Sequence, residues 1–100
     1  MNRINIPKKV KVAGLTYKTE IAQIITIDGD RNYQGACDYQ KTTIEILDIL
    51  SEEKQREVFI HELTHAIFYE AGYEEQDEDM INRVGKVIHQ VLIDNPNLLK

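Results

Sequence analysis

The chain has 100 residues, of which 42% are hydrophobic and 29% charged, values that are typical of one folded domain over residues 1–100 and exclude a disordered segment. Its formal net charge of -5 argues against a nucleic-acid-binding surface, and its single cysteine, Cys37, excludes an internal disulfide. No apolar run has the length of a signal-peptide core or a membrane span, so we predict a cytoplasmic protein without a membrane partner.

The first half of the sequence predicts a small antiparallel sheet of three or four strands. Polar and apolar residues alternate in residues 9–14, with a turn at the end of this segment. A second strand is predicted for residues 15–22, with Ile27 as an alternative end, and a short one for residues 33–39. Residues 42–47 are rich in β-branched side chains and predict a further strand. Strands that follow one another this closely favour an antiparallel meander.

Two helices are predicted after the strands, which gives an α+β fold. Ser51 has the character of an N-cap, and the first helix should run to about Ala71, with Gly72 as the residue beyond its C-terminus. Asp77 is expected to cap the second helix, which Pro96 ends. An amphipathic stripe marks the second helix, at Ile81, Val84, Val87, Ile88, Val91 and Leu92.

The first helix contains the pattern H-E-x-x-H, formed by His61, Glu62 and His65. Residues four apart lie on one face of a helix, so both imidazoles can reach one cation. Glu62 projects beside them, where a carboxylate could accept a proton from water at the metal. The alternative is a polar, solvent-facing side of the helix, because an apolar arc lies roughly opposite, at Phe59, Ile60, Leu63, Ala66 and Ile67.

A catalytic zinc site needs a third protein ligand and an open fourth position. Glu78, at the border of the stripe on the second helix, is the favoured candidate. Gly85 is costly inside a helix and therefore suggests a close approach of the two helices, which would bring Glu78 near the histidines. Glu74 is the alternative ligand. A solvated acidic run is the other explanation for residues 74–79.

Other polar and aromatic residues are given structural roles. His89 lies three turns, or about 16 Å, beyond Glu78 and is too distant to share its metal. It is expected to be a structural histidine with satisfied hydrogen bonds. Cys37 is expected to be a small buried hydrophobic residue. Tyr39, Tyr69 and Tyr73 are assigned to packing, with a place in the lining of the cleft as the alternative. No tyrosine or histidine stands out as a stabiliser of an oxyanion.

The chain resembles the gluzincin-type metallopeptidases, in which H-E-x-x-H is completed by a glutamate from a downstream helix. More narrowly, it is similar to small prophage-type proteins related to the ImmA/IrrE metallopeptidases. The resemblance covers a strand at residues 43–47, the helix containing the motif, and residues 78–83. It implies a single minimal zincin-like metallopeptidase domain in which His61, His65 and Glu78 bind Zn²⁺ and Glu62 is the general base.

We therefore expect zinc-dependent hydrolysis of a peptide bond in a peptide or protein substrate. Residues 42–47, taken as an edge strand, could hold an extended substrate by strand addition. Two alternatives remain: a zinc-stabilised interaction or regulatory module that cleaves nothing, and a metal-free helical adaptor. The sequence leaves open the identity of the substrate, whether the enzyme is latent, and the oligomeric state.

Overall fold

The computed structural model describes residues 5–100 and contains a four-stranded sheet followed by two helices, which confirms the α+β class. Neither helix of this part of the chain is long and apolar enough to cross a membrane. The elements in chain order are β1 (Lys9–Val12), β2 (Leu15–Ala22), β3 (Gly35–Asp38), β4 (Thr43–Leu47), α1 (Glu52–Glu70) and α2 (Glu78–Asp94).

The sheet has the strand order β1-β2-β4-β3 and is mixed rather than antiparallel throughout. The β1–β2 and β3–β4 pairs are antiparallel, whereas β2 and β4 are parallel, with Lys18 opposite Thr43 and Ala22 opposite Leu47. The predicted meander is therefore wrong at the centre of the sheet. After β2 the chain moves to the outer edge, forms β3 there, and returns as β4 between β2 and β3.

The segment predicted as an edge strand is instead central. Thr43, Ile44 and Ile46 of β4 are buried, and side chains on both of its faces are at least half-buried. A nearly continuous run of β-branched residues is typical of a strand that is covered on both faces. The edge strand next to α1 is β3, which pairs only with β4 within residues 5–100.

Tight turns join the antiparallel pairs. The β1–β2 turn places Ala13 and Gly14 at φ 52° and 86°, as a two-residue hairpin turn of type I′ requires. In the β3–β4 turn, the Asp38 carboxylate accepts hydrogen bonds from the backbone N–H groups of Gln40 and Lys41, both at 3.0 Å. The predicted turn before β2 is confirmed.

The predicted limits of α1 are also confirmed. The Ser51 hydroxyl accepts a hydrogen bond from the backbone N–H of Lys54 at 3.2 Å, and Gly72 follows the helix at φ 107°. Near the C-terminal end, the Tyr17 hydroxyl of β2 donates a 2.7 Å hydrogen bond to Glu70. The helix is thus held against the sheet at a defined position.

Helix α1 is covered on two sides, by the sheet and by α2. Glu62 and Thr64 are consequently buried, whereas Ile67 of the predicted apolar arc is 42% exposed. The alternative of a polar, solvent-facing side is therefore wrong for Glu62, and the predicted apolar arc is wrong at Ile67. The main core cluster consists of Val12, Tyr17, Ile44, Ile46, Val58, Phe59, Ile60 and Ala66.

The two helices approach closely at Gly85, as predicted. A Cβ atom on Gly85 would lie 3.4 Å from Thr64 Oγ1 and 3.8 Å from His61 Cα. The buried Thr64 hydroxyl donates a 2.7 Å hydrogen bond to the carbonyl of Ile60 and so needs no partner on α2. A small residue at position 85 therefore sets the distance between the helices.

Replacement of Gly35 should destabilise the fold. A Cβ atom on Gly35 would overlap Val58 Cγ1 of α1 and lie 3.1 Å from Glu62 Oε2, so β3 or α1 must shift. We expect Gly35→Ala to lower the free energy of unfolding by roughly 1–3 kcal/mol, measured by urea denaturation.

Gly85→Ala is the matched control for this experiment. Its new methyl group would meet only ordinary van der Waals contacts, and alanine is favoured over glycine in a helix by about 1 kcal/mol. This variant should be at least as stable as the wild type. A Gly35→Ala variant as stable as Gly85→Ala would contradict the close packing of β3 on α1.

Candidate metal centre

Three residues with metal-ligating side chains converge between the helices: His61 and His65 of α1 and Glu78 of α2. Glu78 Oε1 lies 2.9 Å from His61 Nε2, and Glu78 Oε2 lies 3.3 Å from His65 Nε2. One potential ligand atom from each residue lies within 4.8 Å of the other two. Glu74 lies exposed in the connector, outside this group. The structure therefore brings together both histidines and the favoured glutamate.

The position of Glu78 follows from how α2 begins. The Asp77 side chain accepts a 2.9 Å hydrogen bond from the backbone N–H of Asp79, which confirms the predicted N-cap. Glu78 is then the first residue of α2, where the helix dipole favours a carboxylate. Ile81 and Gly85 are the buried residues of α2, which packs on α1. This docking directs the first turn of α2 toward the histidines.

The group lies at the rim of a cleft rather than in the interior. The side chains of His65, His61 and Glu78 are 13%, 27% and 63% exposed. Two imidazole nitrogens and a carboxylate form a donor set that suits zinc, with room for a fourth ligand from solvent. These three residues could therefore hold a metal while leaving it accessible from the cleft.

Glu62 lies in the same cleft but is nearly enclosed, with 8% of its surface exposed. Its carboxylate lies against the backbone of β3, at Gly35. Burial raises the pKa of Glu62 to about 7, against the lowering effect of His65, and the Glu78 carboxylate adds to the rise. A carboxyl group with a pKa near neutrality is suited to both accepting and returning a proton.

A second set of contacts surrounds His65, and the sequence did not predict it. Gln76 Oε1 lies 2.7 Å from His65 Nδ1. The Gln76 amide nitrogen donates to the Tyr39 hydroxyl at 3.3 Å and to the carbonyls of His65 and Tyr73 at 3.3 and 3.1 Å. Tyr39 also stacks on Tyr69, as expected of packing residues, with ring centres 4.1 Å apart. The sequence feature that could have indicated this role is that Gln76 is an amide within an acidic run, two residues before Glu78.

The cleft has a volume of about 1120 Å³ and lies between β3, α1, α2 and the loop that precedes β3. His89 lines the cleft but does not belong to the convergent group. Its Nε2 atom is buried without a hydrogen-bond partner within residues 5–100, so the expected satisfied structural histidine is wrong for this atom. The space is sufficient for a short segment of extended peptide.

Comparison with protein-family models, with curated proteins and with solved structures gives no match. The functional argument therefore depends on the geometry and chemistry of the site itself.

Cys37 should react slowly with thiol reagents. It is half-buried in β3, and burial raises the pKa of its thiol to about 12, with a further rise from the Glu62 carboxylate. The thiolate is the reactive form, so we expect labelling at mildly alkaline pH to be at least roughly 100-fold slower than in the unfolded chain.

The rate can be followed with a chromogenic disulfide reagent, before and after unfolding in guanidinium chloride. As a control, a cysteine introduced by Asn97→Cys in a Cys37→Ala background should react rapidly, because position 97 is exposed. Equal rates for the native protein and this control would contradict the burial of Cys37.

Proposed function

We propose that this chain is a zinc-dependent peptidase in which His61, His65 and Glu78 hold the metal and Glu62 is the general base. The observation that carries the proposal is the convergence of Glu78 on both histidines of the H-E-x-x-H pattern. The H-E-x-x-H pattern lies on α1, and the third ligand, Glu78, comes from α2, whose packing directs it toward the histidines. If residues 74–79 were only a solvated acidic run, nothing would require Glu78 to lie beside both histidines.

The electrostatics of the cluster favour a cation. A neutral imidazole presents a lone pair at its unprotonated nitrogen, and a carboxylate oxygen can only accept hydrogen bonds. At 2.9–3.3 Å such atoms repel each other unless a proton or a metal ion lies between them. A proton on one imidazole would satisfy a single pair, whereas one divalent metal satisfies all three residues. Metal binding is therefore the arrangement that uses the whole cluster.

In the proposed reaction the metal and the protein have separate roles. When bound, zinc supplies a Lewis acid toward a carbonyl oxygen and toward water. Glu62 then accepts a proton from the attacking water and returns it to the leaving amine as the C–N bond breaks. Its buried position beside the histidines keeps the carboxyl group close to the reacting atoms and away from bulk solvent.

An extended peptide would bind along β3. This edge strand forms one wall of the cleft, through Gly35, Ala36 and Cys37, opposite the helix that carries Glu62. Strand addition supplies main-chain hydrogen bonds that do not depend on sequence, and pockets supply specificity. The substrate is thus proposed to be a peptide or an unfolded protein segment, with its backbone beside β3 instead of β4.

Zinc binding should depend on Glu78. We expect one zinc per wild-type chain in native mass spectrometry of protein purified without chelator or histidine tag. Glu78→Ala removes one of three ligands and should lose the metal or bind it much more weakly. Glu74→Ala, an acid four residues earlier and exposed in the connector, is the matched control and should retain one zinc.

Three outcomes are informative. Loss of zinc in Glu78→Ala alone supports the His-His-Glu site. Full retention in Glu78→Ala would contradict the role given to Glu78. No metal in any of the three proteins, even after zinc is added, would overturn the metallopeptidase proposal and leave the metal-free adaptor.

Glu62→Gln should abolish hydrolysis and leave zinc binding intact. The amide keeps the shape of the side chain but cannot accept the proton, so we expect a loss of about 100- to 10,000-fold in turnover of a cleavable peptide. Glu57→Gln is the control, since Glu57 also lines the cleft but forms an ion pair with Lys54 at 3.0 Å.

The same experiment separates the enzyme from the zinc-stabilised interaction module. An enzyme loses activity in Glu62→Gln and keeps its zinc content. A module that cleaves nothing shows no hydrolysis of peptide libraries by the wild type, and its chelator-sensitive melting temperature is the same in both proteins. That second pattern would contradict the peptidase proposal.

A further inference from the structure

Gln76 connects the metal cluster to three separate parts of the chain. It lies in the connector immediately before the N-cap of α2, and its side chain reaches back to α1. Its Oε1 atom lies 2.7 Å from His65 Nδ1, on the opposite side of the ring from Glu78. Its amide nitrogen faces the His65 carbonyl, the Tyr73 carbonyl and the Tyr39 hydroxyl.

These contacts determine which way the amide points. Backbone carbonyls can only accept hydrogen bonds, so the NH₂ group must face the carbonyls of His65 and Tyr73. The oxygen of Gln76 therefore faces His65 Nδ1. An amide oxygen also only accepts, which requires the proton of a neutral His65 ring to be on Nδ1. The lone pair is then on Nε2, which lies 3.3 Å from Glu78 Oε2.

We infer that Gln76 is a positioning residue that holds His65 in the Nδ1–H tautomer and thereby presents Nε2 as a metal ligand. This inference rests on the proposed metal site. Carbonyl-type oxygens that accept from the second ring nitrogen of a ligating histidine fix its tautomer and orientation. The opposite tautomer would need a rotated amide, with its oxygen against two carbonyl oxygens.

Aromatic packing holds the amide in place. Tyr39 follows β3, and its ring stacks on Tyr69 of α1 at an interplanar angle of 3°. Its hydroxyl accepts the 3.3 Å hydrogen bond from Gln76, while the two carbonyl acceptors belong to α1 and the connector. Two backbone carbonyls and one tyrosine hydroxyl thus fix the side chain of Gln76. A side chain held this way loses little entropy when His65 binds a metal.

The test uses Gln76→Leu, which is similar in size but can neither accept from Nδ1 nor donate to the carbonyls. Glu75→Leu is the matched control, because this neighbouring connector residue is exposed. The His65 tautomer is read from long-range ¹H–¹⁵N correlations of the imidazole in metal-free protein, at a pH where the ring is neutral. Zinc affinity is measured by competition with a chromogenic chelator.

We expect the Nδ1–H tautomer in the wild type and in Glu75→Leu. Gln76→Leu should show a mixture of tautomers and a fall in zinc affinity of about 10- to 100-fold. An Nε2–H tautomer in the wild type would overturn the inference. Unchanged tautomer and affinity in Gln76→Leu would overturn it as well, even if the variant were less stable.

If the proposed metal site is wrong, the experiment gives a different result from the one expected if only the role of Gln76 is wrong. If the wild type binds no zinc, the metal site itself is wrong and Gln76 positions no ligand. The tautomer measurement in metal-free protein still decides whether Gln76 sets the position of the proton on His65. The two failures are therefore distinguishable in one set of samples.

Discussion

The close packing of α2 on α1 is the contact on which the site depends. A Cβ atom on Gly85 of α2 would already be in van der Waals contact with Thr64 and with the backbone at His61. A side chain larger than that of alanine would separate the helices at this point, and the separation would be transmitted to the first turn of α2. Glu78 would then no longer reach both imidazoles. The cluster is thus a product of helix packing as well as of the H-E-x-x-H spacing.

Local signals in the sequence predicted the elements well. Ser51, Gly72 and Asp77 act where capping preferences place them, and these preferences depend on backbone groups only a few residues away. The spacing of His61 and His65 likewise requires only helical geometry. Gly85 predicted a close helix contact because glycine is otherwise unfavourable in a helix interior.

Features that depend on distant parts of the chain were not predictable in the same way. The parallel pairing of β2 with β4 cannot be read from the order of strands, although the apolar character of β4 is consistent with a central position. The burial of Glu62 depends on β3, because Gly35 lies against the Glu62 side chain. Gln76 contacts Tyr39 because of the path of the connector, and that path is set by tertiary packing.

The mixed sheet also affects how the chain folds. Each antiparallel pair is a local hairpin, in which Val12 faces Leu15 and Asp38 faces Thr43. The parallel contact joins residues 25 positions apart, since Lys18 faces Thr43. Closing a longer loop has a larger entropic cost, and hairpins form on the microsecond scale. The central contact of the sheet is therefore its least local one, and until it forms, β4 remains an unprotected edge.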